Sequence, residues 1–179
     1  MRERGFSLVE VLIAITILTA SVVSLAQLFA IATRANSGAR ATTYASVLAQ
    51  QKMEQLRGLA WGFDPQGLPF SDTSADITVI PERSNGGVGL SPSPGNALTT
   101  STNGYCDYVD AFGNSLGGGS VPPAGTVYIR RWSIEPLPAD PADSLVLQVL
   151  VTTARNRSAA ATRLPNEARI VSVKTRKDQ

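Results

Sequence analysis

The sequence predicts an α+β fold in which one long N-terminal helix lays its second half against an antiparallel β-sheet. Three observations carry this reading: an unbroken apolar run from Val11 to Ala32, an amphipathic continuation as far as Leu59, and strand-like segments in the last third of the chain. With 179 residues, the chain suits one modest domain plus an anchor better than two full domains.

The run VLIAITILTASVVSLAQLFAIA contains no proline, glycine or charge. As a helix rising ~1.5 Å per residue it spans about 33 Å, close to the ~30 Å hydrocarbon core of a bilayer. Helix formers then continue to Leu59, interrupted only by Gly38, but the pattern changes. Ala41, Ala45, Leu48, Ala49, Met53, Leu56, Leu59 and Ala60 fall on one face, and Arg40, Thr43, Gln50, Glu54 and Arg57 on the other. Lys52 interrupts the apolar stripe and is expected to lay its stem along it with the ammonium in water. Together the two halves make one helix of roughly 50 residues, about 80 Å long. Gly58, Gly62 and Asp64-Pro65 are the expected stops.

The remainder reads as strands and loops. Asp76 to Ile80 is a short strand candidate, and Thr126 to Glu135 alternates Tyr128, Arg130, Trp132 and Ile134 against Val127, Ile129, Arg131 and Ser133. Ser144 to Thr153 places Leu145, Leu147, Val149 and Val151 on one face, and Ala168 to Thr175 is the last strand. Links at 136–143 and 155–165 let the last three run as an antiparallel meander whose apolar face needs the amphipathic helix as a cover. The stretch 82–125, rich in Gly, Ser, Pro and Asn, is expected to be a long surface loop, docked onto the sheet where Tyr105, Tyr108, Val109 and Phe112 make it apolar.

Composition removes several function classes. There is no histidine, which takes away the commonest general base and metal ligand, and a single cysteine, Cys106, allows no intramolecular disulfide and no CxxC site. A formal charge of +2 does not call for a nucleic-acid partner, and Arg169, Lys174, Arg176 and Lys177 read as a solvated tail. Gly113-Asn114-Ser115-Leu116-Gly117 matches the G-x-S-x-G elbow but lacks a histidine base. Gly86-Gly87-Val88-Gly89 is too short for a nucleotide loop. Asp107, Asp110 and Asn114 offer oxygens for calcium, though not at EF-hand spacing. Neither a cofactor nor a catalytic residue is expected.

The start of the chain carries the chemistry. A basic leader ahead of an apolar run also fits a secretory signal, with Ser24-Leu25-Ala26 as its cleavage site, but the run is too long for that, and Glu10 stands at its edge. A carboxylate at the bilayer centre costs about 2.5–3.5 kcal/mol on insertion scales and less near the interface, so this one wants a partner. Gly5-Phe6-Ser7-Leu8-Val9-Glu10 resembles the processing and methylation signature of type IV pilins and type II secretion pseudopilins.

That resemblance implies a pilin fold. It also implies that a membrane prepilin peptidase and methyltransferase cuts after Gly5 and methylates Phe6, and that Glu10 is the filament-assembly carboxylate. Cleavage there exposes an α-ammonium on Phe6, which the Glu10 carboxylate of a neighbouring subunit can neutralise in a low-dielectric bundle. The domains implied are a leader (1–5), a transmembrane and filament-core half-helix (6–32), an amphipathic half-helix (33–62) and a β-rich head (63–179). Other pilin subunits and an inner-membrane assembly platform are the implied partners. The implied location is a single-pass inner-membrane protein with its head outside the cytoplasm, then a filament on the cell surface or in the periplasm.

Ala45 to Leu59 is similar to the helix of V-type minor pilins and of I-type minor pseudopilins. Gln27 stands where major pilins commonly carry a kinking proline, and one cysteine cannot form their C-terminal disulfide loop. Both departures favour a minor component, of a pilus first and of a type II secretion pseudopilus as the alternative. A membrane-anchored enzyme is the reading from another class.

Overall fold

A computed structural model describes residues 7–77, 86–154 and 167–177. The chain divides into two compact units, Met1–Arg40 and Ala41–Gln179. One helix, α1, runs Leu8–Gly58 without a break and ends at the first of the expected stops.

In the first unit the side chains of α1 are exposed from Leu8 to Ser37, with Leu8, Ile17, Leu18, Leu28 and Phe29 among the most exposed apolar groups. The hydroxyls within the apolar run bond to their own helix. Thr16 Oγ1 donates to the Leu12 and Ile13 carbonyls, Thr19 Oγ1 to those of Ile15 and Thr16, Ser21 Oγ to Ile17 and Ser24 Oγ to Ala20. These polar groups therefore reach apolar surroundings already satisfied. This is a helix long and apolar enough to cross a membrane.

In the second unit, Ala45, Leu48, Ala49, Met53, Leu56 and Leu59 are buried on one face at the expected helical spacing. A five-stranded sheet in the order β4-β3-β5-β6-β7 receives them, its strands being β3 (Cys106–Val109), β4 (Ser115–Gly118), β5 (Tyr128–Leu137), β6 (Asp140–Thr153) and β7 (Ala168–Thr175). All neighbours in it are antiparallel. Trp132, Ile134, Leu145, Leu147, Val149 and Val151 complete the core with the helix, while Cys106, Tyr108 and Ile129 form a smaller cluster. Two short strands, β1 (Trp61–Phe63) and β2 (Pro69–Ser71), pair directly after the helix.

The meander of β5, β6 and β7 is present, with a tighter first connection than expected. β5 and β6 are joined through Pro138 and Ala139 alone, and Pro136, Asp140, Pro141 and Asp143 lie inside strands. Proline is tolerated there because β3 pairs only with Tyr128–Arg131. Beyond Arg131 the β5 edge is closed by loop groups: Trp132 N donates to Tyr105 O, Ile134 N to Ser93 Oγ, and Ser93 N to Ile134 O. Pro136 is next on that edge and brings no N–H to be left unmet.

The stretch 82–125 is not one long loop: among its described residues it supplies β3 and β4. Four buried residues make β3, and their mixture of Cys, Asp, Tyr and Val shows no alternation to read. In β4, Ser115-Leu116-Gly117-Gly118 looks like a turn by composition. Tyr105, Tyr108 and Val109 are buried as expected, but Phe112 is not docked and is 86% exposed. Of the candidate strand at 76–80, Asp76 and Ile77 are described and belong to no named strand, and the rest lies outside the described residues. The glycines near it serve close packing. A Cβ on Gly87 would stand 2.1 Å from Ala75 O and one on Gly89 2.1 Å from Asp72 O, and both have positive φ.

Lys52 departs most from expectation. Its ammonium does not reach water: the side chain is fully buried, 3.0 Å from Asp107 Oδ2, donating to the Ile77 carbonyl and 4.7 Å from the centre of the Trp132 ring. Asp107 also receives Arg130 Nε and Nη2, each at 2.7 Å, and Arg130 Nη1 donates to Gln51 Oε1. Helix and sheet are thus joined by a dry cluster of two cations on one bidentate carboxylate. Of the four C-terminal cations expected in a solvated tail, Arg169 and Lys177 are exposed, but Lys174 and Arg176 are held by the head. Arg176 stacks 3.7 Å above Trp61, pairs with Asp143 at 3.2 Å and donates to the Gly62 and Phe70 carbonyls. Lys174 donates to the Arg57 carbonyl at the C-terminus of α1, where a cation is favoured by the helix dipole.

Candidate functional site

The processing junction, Gly5 and Phe6, lies outside the described residues, and the described site begins at Ser7. This serine starts the helix. Its hydroxyl accepts the Val9 N–H at 3.3 Å, and its carbonyl accepts the Glu10 N–H at 3.0 Å and the Val11 N–H at 3.2 Å. The first-turn donors that no intrahelical carbonyl can reach thus find a partner in the capping residue.

Glu10 sits on the first turn of α1 and is exposed. Beside it Val11, Ala14, Ile15 and Leu18 line a shallow apolar depression on the helix surface. A carboxylate here gains typically ~0.3–1 kcal/mol from the N-terminal end of the dipole. That does not balance the loss of water an ionised group would suffer in a bilayer or a helix bundle. The geometry is a charge held at a defined height on an otherwise apolar rod, chemically fit to pair with a cation brought by another molecule.

The other candidate residues are not gathered into a site. Asp107 spends both oxygens on Lys52 and Arg130 in the core, whereas Asp110 and Asn114 bond to each other in the turn between β3 and β4. Among the described residues no group of three or more His, Cys, Asp or Glu stands together. Ser115 opens β4 in a hairpin, not the strand-to-helix elbow that a G-x-S-x-G nucleophile requires. Cys106 is free and buried, its Sγ 2.9 Å from Gly119 O, and burial raises its thiol above the usual pKa. Sequence reasoning passed over Ser7, although Ser-x-x-Glu ahead of an apolar run is the pattern of a capping box. It also passed over the Lys52 cluster, for which a charge inside an apolar stripe was the only signal.

The chain thus combines a capped, exposed apolar half-helix, long enough to cross a membrane and carrying one acidic side chain on its first turn, with a head of helix on antiparallel sheet. Residues 1–26 match the family model described as the prokaryotic N-terminal methylation motif, which supports a type IV pilin-like prepilin. No curated protein and no solved structure matches the chain significantly. The motif is that of structural, pilin-type proteins, and it implies processing by prepilin peptidase and assembly with other pilins.

Proposed function

We propose that the chain is a structural minor pilin, incorporated into a type IV pilus after cleavage between Gly5 and Phe6 and methylation of Phe6. The observation that carries this reading is Glu10, a carboxylate on the first turn of a helix that buries no side chain before Ala45. Ser7 supports it, because the helix start is set by that residue and a cut after Gly5 leaves only Phe6 and Ser7 ahead of α1. The new α-ammonium of one subunit then pairs with Glu10 of its neighbour and sets the axial register. Before assembly the anchor spans the inner membrane once with the head outside the cytoplasm, in reach of the assembly platform.

The absent kinking proline at Gln27 and the lone, buried Cys106 favour a minor component over the shaft subunit. The same architecture serves a minor pseudopilin of type II secretion, and the filament that holds the subunit decides between the two. The test is a sheared-filament preparation probed for this chain, with intact mass on the subunit recovered. Methylated Phe6 as the first residue and presence in pili are expected, while Glu10→Val should leave insertion and cleavage intact and remove the subunit from filaments. Cleavage after Ala26, or normal incorporation of the Glu10→Val chain, would overturn the proposal.

A further inference from the structure

β7 is the last strand of its sheet, and among the described residues no further strand pairs with its outer side between Arg169 and Thr175. Which backbone groups face outward follows from the ladder. Arg176 N donates to Asp143 O at 2.9 Å, which makes Arg176 a hydrogen-bonded partner of β6, and the antiparallel register then pairs Thr175 with Ser144 and continues to Ala168 with Val151. Lys174, Ser172 and Ile170 therefore turn their N–H and C=O groups to β6, whereas Arg169, Val171, Val173 and Thr175 turn theirs away from it. At Lys177 the outer side is taken up by β1: Lys177 N donates to Trp61 O at 3.2 Å and Phe63 N to Lys177 O at 3.1 Å.

Edge strands are usually guarded by charges, prolines or bulges, because unpaired backbone groups invite another strand. The middle of this edge has none of these. Ile170 packs against the core, and alternating with it Val171 and Val173 lie on the other face, 56% and 53% exposed. The cations of the strand are engaged away from the edge: Arg169 Nη2 donates to Gln148 Oε1, Lys174 to Arg57 O, and Arg176 to the Ala142, Gly62 and Phe70 carbonyls. Arg169, Val171, Val173, Thr175 and Lys177 thus form one exposed row, a pair of valines with a cation beyond each end. From Ala168 to Lys177 every charged residue is basic, and Glu167 stands before the strand. Burial, and after it the neighbouring Lys177 and Arg57, lower the Lys174 pKa against a smaller opposite pull from Asp72, so positive charge is in excess at that end.

We infer that the outer edge of β7 takes one more strand, an extended acidic segment of a protein other than this chain, with apolar side chains against Val171 and Val173 and carboxylates reaching Arg169 and Lys177. A strand added in this way is held by main-chain hydrogen bonds and selected by the side chains that alternate along it. A second copy of β7 is a poor occupant, since it would set the same cations against one another. The inference rests on the reading of the chain as a subunit that assembles with others, and adds to it the place where an unlike subunit takes hold. The contact is effectively intramolecular when both heads are tethered in one membrane or filament.

The test places p-benzoylphenylalanine at position 173 of the full chain in its own cells, with photolysis done separately on membranes and on sheared filaments. The expected product joins position 173 to a different protein, through a peptide with more Asp and Glu than Lys and Arg. Val171→Pro removes an outward N–H and no bond to β6, a change that an edge strand tolerates. It should lower the yield roughly ten-fold, whereas Val171→Thr, which keeps the N–H, should not. Arg169→Glu combined with Lys177→Glu changes only exposed side chains and should lower the yield as far, which keeps the inference testable if the proline variant fails to fold. Products joining two copies of this chain, a captured peptide without acidic excess, a yield that either folded variant leaves unchanged, or no product in either fraction would each overturn the inference. Absence of the chain from sheared filaments, with the acidic product still formed in membranes, would instead overturn the filament reading and leave the edge contact standing.

Discussion

Asp107→Asn is the substitution that tests how helix and sheet are joined. The carboxylate is fully buried and carries Arg130 on two 2.7 Å bonds and Lys52 at 3.0 Å. The amide has the same shape but no charge, and whichever way it is turned it presents a donor to one of two buried cations. Breaking a buried pair by removing one partner typically costs about 3–5 kcal/mol, since an uncompensated charge stays behind. For a unit of the size of Ala41–Gln179 each kcal/mol moves the midpoint by about 3 °C, so a fall of roughly 10–15 °C is expected. Lys52→Met should cost less, because the Arg130–Asp107 fork survives. The assay is thermal unfolding of the full chain in detergent, followed by the near-ultraviolet circular dichroism of Trp132, whose ring lies 4.7 Å from Lys52 Nζ. Raising salt to 1 M should change the difference little, since buried pairs are poorly screened. A midpoint loss under about 3 °C, or Lys52→Met proving the more damaging change, would refute this account of the joint.

A chain lacking residues 1–32 should be soluble and folded, because the core residues of α1 begin at Ala45; aggregation of that fragment would show that the head does not hold its own core. The Asp110 carboxyl is held below its usual pKa, first by the Asn114 side-chain bond and then by backbone N–H groups. Its ordering of the turn is therefore complete above the ordinary carboxylate pKa and lost as pH falls through the lower folded value. Protection of the Phe112 amide, its exchange rate referred to the intrinsic rate at the same pH, should fall only in that acid range, whereas Asp110→Ala should lower it at every pH. Cys106 should resist maleimide at neutral pH in the folded chain and react when it is unfolded, since burial raises the thiol and the side chain is inaccessible.

The two halves of α1 were legible because the apolar pattern changes at Ala32 from all-round to one-sided, and β5 to β7 because their residues alternate. β3 and β4 were not. A four-residue strand containing Cys, Asp and Tyr, followed by a glycine-rich one, carries no periodicity, and its pairing with β5 is settled only by the tertiary fold. Lys52 looked like a snorkelling residue because its partners, Asp107, Trp132 and the Ile77 carbonyl, are remote in sequence. Arg176 looked like tail for the same reason, its binding partners Trp61 and Asp143 being remote in sequence. Glu10 was visible by contrast, a charge at the edge of an apolar run, whereas Ser7 was signalled only by the Ser-x-x-Glu capping pattern, which the cap bonds bear out.

No side chain of α1 before Ala45 is buried, and the hydroxyls between Thr16 and Ser24 look inward to their own backbone. The head's core therefore imposes no volume or shape on the exposed residues from Leu8 to Ser37, whereas Tyr44 already packs against it. Drift in the head leaves the start of the chain unconstrained by packing, and the start answers instead to the peptidase and to whatever surrounds the rod. This division fits with recognition by the family model ending at residue 26. It also makes the anchor portable: residues 1–40 spliced in helical phase onto an unrelated head form a module whose requirements are met wherever the same membrane machinery is present.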